Sequence, residues 1–236
     1  MSIADKILQL KNDFDSVYDK GYSDADYNLW KNLSSNGTRK SYAYTFFSSD
    51  FTGYTFPEPI IPSSTTQQNM FYDYRGSALP KNIDLSQIPT NAETHNFFCW
   101  ATKLLEIPDM GLQPLDYYYQ FFAHCYRVKK IELLRVKSSS TFQSTFYSDS
   151  LMALEYIRFE GEIGNSISFD KCPKLDTASI VDIFEHLSST QGKTLTLNTT
   201  AKNNMVFPYT SPLTNITYNS WDELIATKNN WTISLI

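Results

Sequence analysis

The first apolar pattern along the chain is a seam. Ile3, Ile7, Leu10, Phe14 and Val17 recur at steps of 4, 3, 4 and 3 residues, the spacing that lines one face of a helix. Gly21 closes that helix, because a residue without Cβ turns left-handed at little cost. Ser23, with Asp26 three positions on, opens a second helix striped by Tyr27, Trp30 and Leu33, and Asn36-Gly37 stops it. A seam of about two and a half heptads is marginal alone in water. It therefore either docks on the rest of the chain or assembles copies, with a homotrimer as the candidate assembly.

Farther on the pattern repeats. Segments beginning at Phe98, Phe122, Phe146 and Phe169 start 24, 24 and 23 residues apart, and a looser copy begins at Phe71. The first two share an aromatic, a small residue or Cys at +3, an aliphatic at +6 and Ile at +9: Phe98, Ala101, Leu104, Ile107, then Phe122, Cys125, Val128, Ile131. The third carries a two-residue insertion and recovers at Leu154 and Ile157; the fourth keeps Cys172 and Leu175 before turning helical. Stacked turns would bury together what no single turn can bury. This predicts an α/β solenoid, a stack of short strands over 81–85, 105–109, 129–133 and 155–160 with irregular or helical crossovers. Alternation within the strands puts Asp84, Pro108, Glu132 and Arg158 on one exposed ladder, where Glu132 and Arg158 can pair, and Glu106, Lys130 and Tyr156 on its neighbour.

After Cys172 the period becomes helical: Ile180, Val181, Ile183, Phe184 and Leu187 share a face, opened near Asp176 or Thr177. Residues 193–198 read as a strand with Leu195 and Leu197 inward, Ser220 and Glu223 cap a second helix, and 231–235 read as a last strand. The segment 202–219 has two prolines and no period, and is expected to be a mobile excursion. The domain reading is a helical segment over 1–38, an aromatic cap or linker over 39–69, and the repeat domain over 70–236.

Composition narrows the function classes. Twenty Lys and Arg against 25 Asp and Glu leave a formal charge of -5 without a basic run, which argues against nucleic acid and against a polybasic membrane anchor. No window is apolar enough to span a bilayer, and the N-terminus has no secretory h-region. Enzyme motifs fail: Gly192-Lys193-Thr194 ends like a phosphate loop, but Leu187 stands where its first Gly is needed, and GxGxxG, HExxH, GxSxG and EF-hand patterns do not occur. Glu160 and Glu162 around Gly161 read as a solvated rim. Cys99, Cys125 and Cys172 read as buried thiols, and with His95, His124 and His186 they form no metal-ligand spacing. Catalytic residues, metal ligands and a cofactor are thus not expected. Aromatics make up 15% of the chain, and rigid aromatic surface is what binding sites use. Tyr117, Tyr118, Tyr119 and Trp100 are candidate ligand-facing residues, joined by Glu132, Tyr156 and Arg158 of the exposed ladder.

The aromatic-x-x-Cys-x-x-Leu-x-x-Ile register resembles the BspA-like leucine-rich repeat family. The runs IRFEGEIGNSISFDKCPKL and IATKNNWTISLI are similar to members of that family from gut bacteria and their phages or prophages. The resemblance implies a leucine-rich-repeat-like fold and a binding or adhesion role, and carries over no catalytic residue. The expected function is a non-catalytic module, virion-associated or delivered outside the cell by phage, that recognises a protein or glycan on a cell surface. The alternatives are a bacterial surface adhesin and a structural connector to other virion proteins.

Overall fold

A computed structural model describes residues 50–53, 55–62 and 70–236, with 56–60 described by backbone alone. The seam of Ile3, Ile7, Leu10, Phe14 and Val17, the helical segment and most of the aromatic linker lie outside the described residues. Ten strands occur among the described residues: β1 (Thr55–Ile60), β2 (Lys81–Ile83), β3 (Glu106–Ile107), β4 (Lys130–Val136), β5 (Tyr156–Gly161), β6 (Ile167–Phe169), β7 (Lys193–Leu197), β8 (Tyr209–Thr210), β9 (Thr217–Tyr218) and β10 (Trp231–Leu235). The helices are α1 (Thr177–His186), α2 (Thr199–Asn203) and α3 (Trp221–Ala226).

The phenylalanines at the 24-residue spacing do stack. Phe71, Phe98, Phe122, Phe146 and Phe169 are buried, with successive ring centroids 5.0, 5.6, 5.4 and 4.6 Å apart. A second column stands beside it, in which Phe97 and Phe121 lie parallel at 4.9 Å. Rings of this size remove large apolar areas from water, so the two columns form the axis of the core. Leu104, Val128, Leu154, Ile107, Ile131 and Ile157 fill its flank.

The architecture nevertheless corrects the expected α/β solenoid. The strands form four separate sheets, β1–β2, β3–β4–β5, β6–β7–β10 and the antiparallel β8–β9, and no closed leucine-rich-repeat-like stack results. Two local events divide the sheets. β2 takes β1 as its parallel partner, and only isolated backbone bonds, such as Leu85 N to Met110 O at 2.8 Å, link it toward β3. At the far side, α1 covers the edge of β5 with side chains where another strand would lie. The Ile157 N–H donates to Ser179 Oγ at 3.0 Å and the Phe159 N–H to Asp182 Oδ2 at 2.7 Å. A strand edge satisfied in this way cannot be extended.

The charged ladder also needs correcting. Glu106, Lys130 and Tyr156 do lie side by side across β3, β4 and β5. Glu132 and Arg158 do not pair, because the register between β4 and β5 shifts between Ile131 and Leu134. Glu132 instead binds Lys130 at 2.8 Å, and Arg158 binds Asp182 at 2.8 Å. Gly161 and Gly164 then let the chain pass close to β4: a Cβ on either would fall about 2 Å from the Val136 or Ser138 carbonyl oxygen.

The C-terminal elements follow their sequence signals. Asp176 caps α1 by accepting from Ser179 N at 2.7 Å, and Ser220 caps α3 by accepting from Glu223 N at 3.2 Å. β7 pairs with β10 in parallel over all five residues, with Leu195 and Leu197 buried. The segment 202–219 is more ordered than its sequence suggests. It forms the β8–β9 hairpin, held to α1 through Glu185, which accepts from Ser211 Oγ at 2.7 Å, Thr214 Oγ1 at 2.6 Å and Tyr218 Oη at 3.2 Å. The missing signal is that one helical carboxylate gathers three hydroxyls scattered along the loop.

Candidate functional site

Each Phe pair is set between two left-handed residues. Asn96 and Trp100 bracket Phe97 and Phe98, and Gln120 and His124 bracket Phe121 and Phe122, all four with φ between 48° and 63°. Simple strand alternation would expose one of two neighbouring phenylalanines. A left-handed turn at either end breaks the alternation and sends both rings inward. Between turns the backbone is satisfied by the next segment: the N–H groups of Asn96, Phe98 and Trp100 donate to the carbonyls of Tyr119, Phe121 and Ala123 at 3.1, 2.8 and 2.9 Å. Those of Gln120, Phe122 and His124 repeat the pattern one turn on, to Gln143, Thr145 and Tyr147. Left-handed backbone costs a bulky L-residue roughly 1–2 kcal/mol, so Trp100 and His124 hold their places because the ladder and the packing over-determine them.

That ladder brings Trp100 and His124 to equivalent positions on adjacent turns. Their rings stack with centroids 4.0 Å apart and planes 11° from parallel. Tyr126 meets Trp100 edge-on at 6.2 Å and His124 at 5.9 Å, and Tyr147 stands edge-on to His124 at 5.3 Å. His124 is 7% exposed, and its Nδ1 lies 3.0 Å from Tyr126 Oη and 3.8 Å from Asp149 Oδ2. Tyr147 Oη donates to Asp149 Oδ1 at 3.0 Å, and that hydrogen bond to a carboxylate holds the phenol above its ordinary range, protonated and fixed as a donor. The rim opens to water at Tyr147, 46% exposed. The result is an aromatic surface around a buried imidazole, with one carboxylate and two phenols at its edge. Such a surface can hold a ring by stacking and orient it by hydrogen bonds.

The seven candidate residues fall in four places. Trp100 lies in this patch. Tyr117, 51% exposed, and Tyr119, whose ring meets His95 edge-on at 5.3 Å, precede the segment that carries His124. Tyr118 is core: it is fully buried, and its hydroxyl accepts from Leu115 N at 3.0 Å and donates to the Arg135 carbonyl. Glu132, Tyr156 and Arg158 sit on the β3–β4–β5 sheet, where Lys130 and Arg158 each lie 5.8 Å from the Tyr156 ring and Arg158 Nε donates to its hydroxyl at 3.0 Å. These charges satisfy one another. The sheet carries a further mutual set, with Arg135 bound to Asp109 at 2.7 Å and to Glu160 at 2.9 Å.

His124, Tyr126, Tyr147, Asp149 and Leu151 were not singled out as binding residues. The last three carry a signal, the insertion: Ile131 follows Phe122 by nine residues, whereas Ile157 follows Phe146 by 11, and the lengthened segment contains Tyr147, Asp149 and Leu151. A break in a repeat marks the place where one turn does something its neighbours do not.

The thiols give no competing chemistry. Burial pushes Cys99 up to about 11 and drives Cys125 and Cys172 higher still, so all three stay protonated and unreactive. Among the described residues no group of three or more His, Cys, Asp or Glu is placed to hold a metal ion, and no helix is long and apolar enough to cross a membrane. Compared with family models, with curated proteins and with solved structures, the chain matches none.

Proposed function

We propose that the chain is a non-catalytic binding module that holds a glycan on the patch formed by Trp100, Tyr126 and Tyr147. The observation that carries this reading is the patch itself: stacked aromatic area that opens to water at Tyr147, with hydrogen-bonding groups at its edge and a strained backbone holding it in place. The apolar face of a sugar ring stacks on such a surface while its hydroxyls reach the rim, a division of labour common in ligand sites. The resemblance of the repeat register and the C-terminal runs to BspA-like proteins of gut bacteria and their phages adds support. It favours adhesion to a cell surface, on a virion or outside the cell, as the setting.

The test is a panel of soluble oligosaccharides titrated against the full chain, alongside Trp100→Ala. Binding that disappears in the variant supports the proposal. A chain that binds no member of the panel, or binds equally well without the indole, refutes it.

A further inference from the structure

Trp100 and His124 stack on adjacent turns 24 residues apart, and Glu106 pairs with Lys130 at the same offset. Between these two fixed points the segments match residue for residue, so Lys103 and Arg127 hold the same place on neighbouring turns. Turns joined by a backbone ladder lie about 4.8 Å apart. Both side chains are exposed, and among the described residues neither makes an ion pair or a hydrogen bond. The cations that follow them are engaged: Lys129 lies 3.9 Å from Glu155 and Lys130 2.8 Å from Glu132. Like charges at neighbouring places on a ladder repel. A chain with 25 acidic residues against 20 basic ones has carboxylates to spare, yet none is set against this pair. Asp149, the carboxylate of the patch, takes the Tyr147 hydroxyl at 3.0 Å and faces His124 Nδ1 at 3.8 Å instead. One turn farther on, the same place falls to Ala153, whose side chain is too short to screen Arg127. Arg127 directly follows Tyr126, whose ring is edge-on to both Trp100 and His124, and Lys103 follows the turn in which Thr102 N donates to the Trp100 carbonyl at 2.7 Å. The unneutralised pair therefore borders the stacking surface.

We infer that Lys103 and Arg127 form an anion-binding edge of the patch, and that its ligand is an acidic sugar, a uronic acid whose carboxylate lies between the two cations. The inference rests on the glycan-binding reading above and deepens it by naming the class of sugar. A guanidinium takes both oxygens of a carboxylate at once, and an ammonium adds a compact point charge beside it. The ligand supplies the counter-charge that the chain leaves out, and the repulsion between neighbouring turns becomes attraction for the acid.

The experiment measures three probes on the full chain by titration calorimetry: hexagalacturonate, the neutral galactohexaose of the same linkage, and hexaglutamate as an acid without sugar rings. The wild type is expected to bind hexagalacturonate at least about tenfold tighter than either of the others, with the gap narrowing as salt rises. Lys103→Gln combined with Arg127→Gln should bring hexagalacturonate within about twofold of the neutral sugar. Arg127→Lys should keep part of the preference, since the charge stays and the paired hydrogen bonds go. Because the free pair only repels, the double variant is expected to hold the wild-type urea midpoint or exceed it.

A wild type that does not favour hexagalacturonate over both other probes, or a preference that survives the double variant, overturns the inference. So does a lowered urea midpoint in that variant, which would make the pair structural. Trp100→Ala separates this failure from that of the underlying reading. If it abolishes sugar binding while the double variant leaves the ratio unchanged, only the role of the cations falls. If no sugar shows binding that depends on Trp100, the glycan reading falls and the inference with it.

Discussion

The segments around Phe98 and Phe122 and those around α1 and β10 solve the same problem by different means. In the first region, successive turns join N–H to carbonyl directly, and pairs of rings fill the space between left-handed corners. In the second, side chains add joints beside the β6–β7–β10 ladder. Ser179 and Asp182 close the edge of β5. Asn230 Nδ2 and Trp231 Nε1 both donate to the Ser188 carbonyl, at 3.1 and 2.9 Å, and Lys228 donates to that of Leu187. A helix offers a wide apolar face, as Ile180, Val181, Ile183 and Phe184 do here, and turns its ends into capped, closed structures. A tight aromatic turn has no such cover. Its corner side chains cover one another: His124 is buried between Trp100 and Tyr147, while Trp100 stays half-buried and Tyr147 is exposed. The exposure of Tyr147 follows from that economy of chain, and the proposed binding patch lies where the described residues form no helix.

The sharpest way to break this contrast is to empty the aromatic column. Phe122→Ala removes a buried ring stacked between Phe98 and Phe146 and should cost about 3–5 kcal/mol in urea unfolding. A near-neutral result would mean that the columns do not carry the core. Next comes the side-chain joint. Asp182→Ala leaves the Phe159 N–H and Arg158 without their acceptor and should cost about 1–3 kcal/mol. Arg158→Glu would be harmless on an exposed ladder, but here it sets a second carboxylate against Asp182 and should also destabilise strongly.

The two regions differ in the sign of their response to acid. Burial holds the Asp182 carboxyl above its ordinary 3.8 despite Arg158, His186 and the Phe159 N–H. The folded state therefore takes up that proton first, and the resulting stability is full below the unfolded value and lost as pH rises through the folded one. Wild type should gain on Asp182→Asn as pH falls from about 7 to about 4. Asp109 behaves oppositely. The Arg135 hydrogen bond holds its carboxyl below the ordinary range, so its contribution is present above the unfolded value and lost as pH falls through the folded one. Being a surface pair, it contributes about 0.5 kcal/mol, and Asp109→Asn should be the smallest effect in the set. Thermal melts between about pH 7 and about pH 4 would show the first slope, and melts continued to about pH 2 the second.

What the sequence makes legible follows from how local each signal is. The Phe spacing, the Asp176 and Ser220 caps and the strands at 193–197 and 231–235 depend on neighbours along the chain, and each is present in the structure. The second column, Phe97 with Phe121, is hidden because adjacent apolar residues fit no strand or helix period until the left-handed corners are known. The continuous sheet expected of a solenoid fails twice, where β2 pairs with β1 and where α1 covers β5. Nothing in the apolar pattern of α1 says that Ser179 and Asp182 face the edge of β5 and close it. The proposed Glu132–Arg158 pair fails through a single register shift, since one extra residue in β4 moves every later partner. Of the candidate site, Trp100 was legible as an aromatic beside the column. Its partners His124 and Tyr147 come from the next two turns, and only the stacking of turns brings them together.

The central claim is that the inward rings carry stability while the outward ones carry binding. Tyr147→Ala separates the two, because Tyr147 lies one residue from Phe146 in sequence but on the other side of the backbone. The measurement is the affinity of this variant for the tightest oligosaccharide of the panel, taken beside its urea midpoint. The account predicts binding weakened by more than about tenfold with the midpoint essentially that of the wild type. Undiminished binding would contradict it, and so would a loss of binding accompanied by a fall in stability comparable to that of Phe122→Ala.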